Sequence, residues 1–328
     1  MKLAVLGAGA WGTAITISLA PRHAITLWAR DTQHAERIAA TRSNERYLPG
    51  FTLPATVAVT PRMAVALAGV DLALVATTTA GLSEVLRHVG ASGTPVVWLC
   101  KGFDATSTQL PHQIARRELP VQLPRAVLSG PSFAQEVAQG LPTALTLASA
   151  TADFSERIAH ELHHDRLRVY SGDDIVGIEI AGAVKNVIAI AAGISDGLGL
   201  GYNARAALVT RGLAEMTRLG LKFGGRLETF MGLAGVGDLV LTCTGELSRN
   251  RNVGLGLAQG MALPSILGNL GHVAEGVHTA RVISRLAQDL DVEMPITHAV
   301  CRVMDENAAP RTAVQELLAR EPRPEQHR

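Results

Sequence analysis

Along the first half of the chain, short apolar runs alternate with amphipathic segments. The runs Lys2–Leu6, Ala24–Trp28, Thr56–Val59, Asp71–Ala76, Pro95–Cys100, Arg125–Ser129, Thr143–Ala148 and Leu167–Tyr170 read as buried strands. The segments between them carry helical periodicity, and this alternation predicts a doubly wound, mostly parallel α/β sheet of the Rossmann-like kind. After Gly172 the strand signals stop and helical periodicity takes over. The expected organisation is therefore a sheet domain over residues 1–172 and an all-α domain over residues 173–328.

The most informative helical stretch runs from Asp173 to Ile194, apolar almost all round as a buried helix is. Ser171, Asp173 and Asp174 offer capping oxygens and negative charge at its start. Into this run the chain sets one cation, Lys185. Ile178, Ala181, Gly182, Ile188 and Ala189 share its face, so no carboxylate lies one turn away. Burial without a local partner pushes an amine towards neutrality, which suits a general acid/base. Two plainer readings stand beside this one. The lysine could snorkel to solvent from a helix edge, and the run is long enough for a membrane span. Glu179, Lys185 and Asn186 near its middle are expensive in lipid and argue against the span.

Chemistry in the sheet domain starts with Gly7-Ala-Gly9-Ala-Trp-Gly12, set between the first strand and the helix from Ala14. In that context Gly7 allows a tight turn, Gly9 lets backbone approach a pyrophosphate, and Gly12 permits close helix packing. A helix N-terminus then faces the phosphates, so the domain should bind a dinucleotide. The second strand ends in Ala29-Arg30-Asp31. An acid there grips the ribose hydroxyls of NAD and an arginine welcomes the extra phosphate of NADP, so both cofactors stay open, with a lean to NADP through Arg30. Lys101 follows its strand directly and projects at the edge where ligands bind, and Ser129-Gly130-Pro131-Ser132 leaves the next strand at the same edge. His160-Glu-Leu-His-His164 matches the zinc-protease pattern, but Phe154, Ile158 and Leu162 form that helix's buried stripe and put both histidines on the solvated side. No metal is expected.

In the helical half, Gly232–Gly237 reads as a turn positioning Asp238 before a helix. Ser248-Arg249-Asn250-Arg251-Asn252 opens a further helix with arginines that oppose its dipole, so an anion is wanted there. Glu275 follows Val273-Ala274 in a loop. At 328 residues the chain should form about two domains. A formal charge of +1 gives no reason to expect nucleic acid or a charged membrane as partner. Cys100, Cys243 and Cys301 lack ligand spacing and fit a reducing cytosol, and the N-terminal strand has no signal-peptide architecture. The polar tail 320–328 is expected to be disordered.

Together these segments resemble the bacterial NAD(P)-dependent glycerol-3-phosphate dehydrogenase family. The resemblance rests on Gly7-Ala-Gly-Ala-Trp-Gly-Thr-Ala, Leu128-Ser-Gly-Pro-Ser-Phe-Ala-Gln-Glu-Val, Ala181-Gly-Ala-Val-Lys-Asn-Val-Ile-Ala, Gly235-Val-Gly-Asp-Leu-Val-Leu-Thr-Cys, Ser248-Arg-Asn and Ala274-Glu-Gly, in family order. It implies reversible NAD(P)H-dependent reduction of dihydroxyacetone phosphate to sn-glycerol 3-phosphate for phospholipid synthesis, by a cytoplasmic homodimer. It makes Lys185 the general acid/base, with Lys101 and Asn186 polarising the carbonyl and Asp238 and Thr242 holding the lysine and substrate hydroxyls. Substrate phosphate would lie on Arg249 and Asn250, with Gly130, Ser132 and Ser248 completing the pocket. Trp11, Arg30, Lys101, Ala134, Arg249, Val273 and Glu275 would touch the cofactor. Ala10 stands where the family often has serine, and Ala76-Thr-Thr-Thr79 replaces a Val-Pro-Ser-like turn. The competing readings are a related lysine-dependent β-hydroxy acid dehydrogenase, with Arg249 on a carboxylate, and a non-catalytic NAD(P) sensor.

Overall fold

The computed structural model describes residues 1–270, 274–306 and 308–320, so the polar tail beyond residue 320 lies outside the described residues. Its strands are β1 (Lys2–Leu6), β2 (Ala24–Trp28), β3 (Ser43–Asn44), β4 (Leu48–Thr52), β5 (Ala58–Thr60), β6 (Leu72–Val75), β7 (Val96–Trp98), β8 (Arg125–Ser129), β9 (Thr143–Ala148) and β10 (Leu167–Gly172). Eight of them form one sheet in the order β10-β9-β8-β7-β6-β1-β2-β5, and β3 and β4 form a separate antiparallel pair. The chain leaves β1 towards β2 on one side and returns through β6 on the other, so the switch point lies between β1 and β6. Both faces of the sheet are dry. Leu3, Val5, Leu27 and Leu74 pack under Ile15, Ile38 and Ile158, while Leu6, Val75 and Trp98 pack under Leu86, Ile114 and Ile178.

Two details go beyond the expectation of a mostly parallel sheet. β9 pairs antiparallel with β8, although the other pairings of the large sheet are parallel. The link from β8 stays at the carboxyl edge, where the helix Ala134–Ala138 packs Val137 against Ala14 and Trp11 of the first helix, and the chain re-enters from that edge. The β3–β4 hairpin is the other difference: it carries no strong alternation, so pattern alone does not announce it.

The chain folds as two compact units. One comprises Met1–Ala183 with Gly220–Asp238, and the other Val184–Leu219 with Leu239–Arg328. The dividing point falls inside the helix Ile175–Gly197. That helix is apolar enough to cross a bilayer, with mean hydropathy 1.8, but 89% of its most apolar window is buried within the protein. Its start is fixed by Asp174, whose carboxylate accepts from the Gly177 amide at 2.8 Å, the Arg226 amide at 2.9 Å and the Thr229 hydroxyl at 2.6 Å. Glu179, one turn on, is buried because the Trp98 indole donates to it at 2.8 Å and His112 from both its amide and its ring at 2.9 and 2.6 Å.

The helical unit is built by helices that touch through glycine. A Cβ on Gly193 would lie 2.0 Å from the Arg251 carbonyl oxygen, and one on Gly254 would lie 2.0 Å from that of Ile190. The backbones of Ile175–Gly197 and Arg249–Ala258 are therefore in direct contact. A buried carboxylate, Glu215, holds the start of the helix Pro295–Asp305 by accepting from the Ile296 and Thr297 amides and the Thr297 hydroxyl at 2.5, 3.2 and 3.0 Å.

Candidate active site

The glycine loop between β1 and the helix Ala10–Leu19 has the geometry a dinucleotide needs. Gly7 has φ +124°, and a Cβ there would lie 2.7 Å from the Ala76 carbonyl oxygen. A Cβ on Gly12 would lie 1.9 Å from the Gly7 oxygen, so the helix could not pack so close with any side chain there. A Cβ on Gly9, by contrast, would meet nothing within 4 Å. That open face at a helix N-terminus beside the switch point fits a pyrophosphate. Trp11 and Ala134 are brought together in one cluster beside the loop. At the end of β2, Asp31 caps the helix Thr32–Thr41 by accepting from the His34 amide at 2.7 Å, while Arg30 is exposed.

One residue that shapes this loop gives no signal in the sequence. Asn44, fully buried in β3, donates from its amide to the Ala8 carbonyl at 3.0 Å and to the Thr13 hydroxyl at 2.7 Å. Its partners lie far back in the chain, so no local pattern marks it.

The second cluster of the sheet unit centres on Lys101, just beyond β7. Its ammonium donates to Asp238 at 2.7 Å and to the Gly130 carbonyl at 3.1 Å. Gly130 has φ +142°, and a Cβ there would press at 3.1 Å on the Ala144 carbonyl, so the turn after β8 requires glycine. Ser132 donates to the same Gly130 carbonyl at 3.0 Å. Gly182 keeps the lysine's stem close, a Cβ there lying 3.4 Å from its Cγ. Asp238 is 1% exposed and is delivered by a π-helical turn over Leu233–Gly237. A Cβ on Gly235 would lie 2.1 Å from the Phe230 carbonyl, which makes that turn a glycine-only arrangement.

In the helical unit, Lys185 is 7% exposed and donates to the Thr242 hydroxyl at 3.0 Å. The ammonium therefore does not snorkel to solvent. Asn186 accepts from the Asn250 amide at 2.9 Å, and Asn250 in turn accepts from the Gly276 amide at 3.0 Å. These bonds tie the starts of Arg249–Ala258 and Glu275–Asp289 together. Ser248 caps the former by accepting from the Arg251 amide at 3.2 Å. Arg251 pairs with Asp196 at 2.7 Å, and Arg205 joins them at 3.1 Å. Arg249 is exposed, and Glu275 is half-buried at the first position of its helix rather than in a loop. Val273 lies outside the described residues.

The apparent zinc motif is spent elsewhere. Phe154, Ile158 and Leu162 are buried as expected, but the helix ends at Leu162, and His164, past its end, bonds to the Ser18 hydroxyl at 3.0 Å. Burial and the nearby Arg22 hold His164 below the usual imidazole pKa.

Known proteins resemble this chain along most of its length. Residues 2–155 match the family described as NAD-dependent glycerol-3-phosphate dehydrogenase N-terminus, and residues 174–315 the C-terminus of the same family. A relative from Nitrosospira multiformis, named glycerol-3-phosphate dehydrogenase [NAD(P)+], is 57% identical, covering 99% of both chains. The crystal structure of glycerol-3-phosphate dehydrogenase from Coxiella burnetii superposes with a TM-score of 0.93 at 44% identity, covering 97% of this chain and 99% of that one. The enzyme of the same name from yeast gives a TM-score of 0.82 at 28% identity over 96% and 98%.

Proposed function

The chain belongs to the NAD-dependent glycerol-3-phosphate dehydrogenase family, and on that premise we propose how its residues interconvert dihydroxyacetone phosphate and sn-glycerol 3-phosphate. Bound in the glycine loop, NAD(P)H would supply the hydride for C2 of the ketone. Negative charge then grows on the C2 oxygen and needs a proton. Lys185 gives it: a buried ammonium held on the Thr242 hydroxyl is a proton donor kept in one orientation, and this observation carries the proposal. In the oxidative direction the neutral amine takes the proton back.

Lys101, fixed by Asp238 and the Gly130 carbonyl, polarises the substrate carbonyl without serving as the acid. Asp238 and Thr242 stand four residues apart on the helix Asp238–Thr244, the spacing of one helical face. Arg249 at its helix N-terminus binds the substrate phosphate, beside the Ser248 cap. Asn186 and Asn250 keep that N-terminus in register. The glycine loop, Trp11, Ala134 and Lys101 take the dinucleotide. Arg30 favours NADP, since it stands free at the surface while Asp31 is engaged as a cap.

The reaction takes place in the cytoplasm, with no membrane span, where its product supplies glycerophospholipid synthesis. A homodimer is the expected state, and exposed Leu221, Leu227 and Met231 offer apolar surface for it. The test is NADPH and NADH oxidation by purified protein with dihydroxyacetone phosphate, beside Lys185→Ala. Turnover by the wild type and a kcat loss of at least about a hundredfold in the variant are expected. A wild type that binds NADPH but leaves the phosphate ketone unreduced would sink the proposal in favour of a carboxylate substrate or a sensor.

A further inference from the structure

We propose that Asn44 is a positioning residue for the cofactor: it sets the shape of the glycine loop and through it the affinity for NAD(P)(H). The inference rests on the dinucleotide reading of that loop. The loop carries its ligand on backbone amides, and those amides point usefully only if the carbonyls between them are turned away and held. Ala8, between Gly7 and Gly9, is the residue whose peptide decides this. Its carbonyl accepts from the Asn44 amide at 3.0 Å. The second amide hydrogen of Asn44 goes to the Thr13 hydroxyl at 2.7 Å, in the first turn of the helix that faces the phosphates. One side chain thus ties the turn before Gly9 to the helix after it. Its own oxygen accepts from the Tyr47 amide at 3.3 Å, so all three polar groups of the side chain are used inside the protein.

Asn44 is fully buried in the short hairpin β3–β4, which is anchored beside the cradle by Leu48 against Ala14 and Val137. It makes no provision for touching a ligand itself. Gly7 and Gly9 can adopt many backbone conformations, and without an external clamp the loop would sample them in the free enzyme. Asn44 therefore acts by preorganisation, lowering the conformational cost of binding.

The experiment titrates NADPH and NADH into Asn44→Ala, Thr13→Val and wild type, following nucleotide fluorescence, with Tm and steady-state kinetics in parallel. Asn44→Ala is expected to weaken both nucleotides at least about tenfold, and Thr13→Val by a few-fold, since it removes one of the two bonds. At saturating cofactor, kcat and the KM for the phosphorylated ketone should stay within about twofold of wild type. A purely structural residue would lower Tm and leave the nucleotide Kd of the folded protein unchanged, and that result overturns the proposal. Equal losses in kcat and in both KM values overturn it too. If Asn44→Ala fails to fold, Thr13→Val decides: unchanged nucleotide affinity rejects the clamp. A wild type that binds neither nucleotide rejects the dinucleotide reading itself, and the inference with it.

Discussion

Glu215 makes stability depend on pH in a direction that can be measured. Its carboxyl is 1% exposed, and burial raises its pKa from 4.5 to about 7, against the opposing pull of the Ile296 and Thr297 donors. Folded protein therefore binds a proton more tightly than unfolded chain. By linkage the stabilisation is fully present below about pH 4.5, and it is lost as pH rises through about 7. The difference between those two values corresponds to about 3–4 kcal/mol at most, by about 1.4 kcal/mol per pH unit. Other groups titrate across the same range: His23, His34, His164 and His298 are held below their usual pKa and pull the profile the opposite way. The informative quantity is the difference between wild type and Glu215→Gln. Glutamine keeps the shape and one acceptor for the start of Pro295–Asp305, but carries no titration. Urea unfolding at pH 5, 6, 7 and 8 should show the wild type's advantage over the variant shrinking by on the order of 2–3 kcal/mol. A difference that stays constant across those pH values would refute the reasoning, because it would mean the carboxyl titrates alike in folded and unfolded chains.

Two further outcomes are expected. Arg30→Gln should raise the KM for NADPH about tenfold and leave that for NADH within about twofold, measured by steady-state kinetics with each nucleotide; equal effects on both would remove Arg30 from cofactor selection. Gly276→Ala places a Cβ 2.7 Å from both the Asn186 carbonyl oxygen and the Asn250 side-chain oxygen. It should cost about 1–3 kcal/mol by overpacking and lower kcat/KM for the phosphorylated ketone, which thermal unfolding and kinetics check together.

What can be read from the sequence is whatever depends on near neighbours. The glycine loop, the apolar setting of Lys185 and the helix start at Ser248 each lie within one element, where spacing fixes geometry. Lys101 and Asp238 can be placed at the ends of elements, but their bond joins residues far apart in the chain. The same holds for Asn44 with Ala8, for Glu179 with Trp98 and His112, and for Asp196 with Arg251. A buried polar residue declares its partner only when the fold supplies it. The antiparallel β9 escapes for a related reason: strand direction depends on which edge the preceding helix packs against, and Ala134–Ala138 is held by the first helix.

The first turn of Arg249–Ala258 holds one arginine that the protein pairs internally and one that it does not. Two arginines beside the positive end of a helix dipole are unfavourable unless anions meet them. Arg251 is met by Asp196, which also takes Arg205, so that carboxylate is shared between two arginines within the protein. Asn250 is likewise committed, its amide to Asn186 and its oxygen to Gly276. What remains at the helix start is the Arg249 guanidinium, exposed to solvent and without an ion pair among the described residues. Glycine contacts at Gly193 and Gly254 hold this helix rigidly against Ile175–Gly197, so the guanidinium is presented from a fixed base. A guanidinium at a helix N-terminus favours an anion with several acceptor oxygens, as a phosphate has. The role proposed for Arg249 as the phosphate site thus draws on which charges the protein has already neutralised for itself.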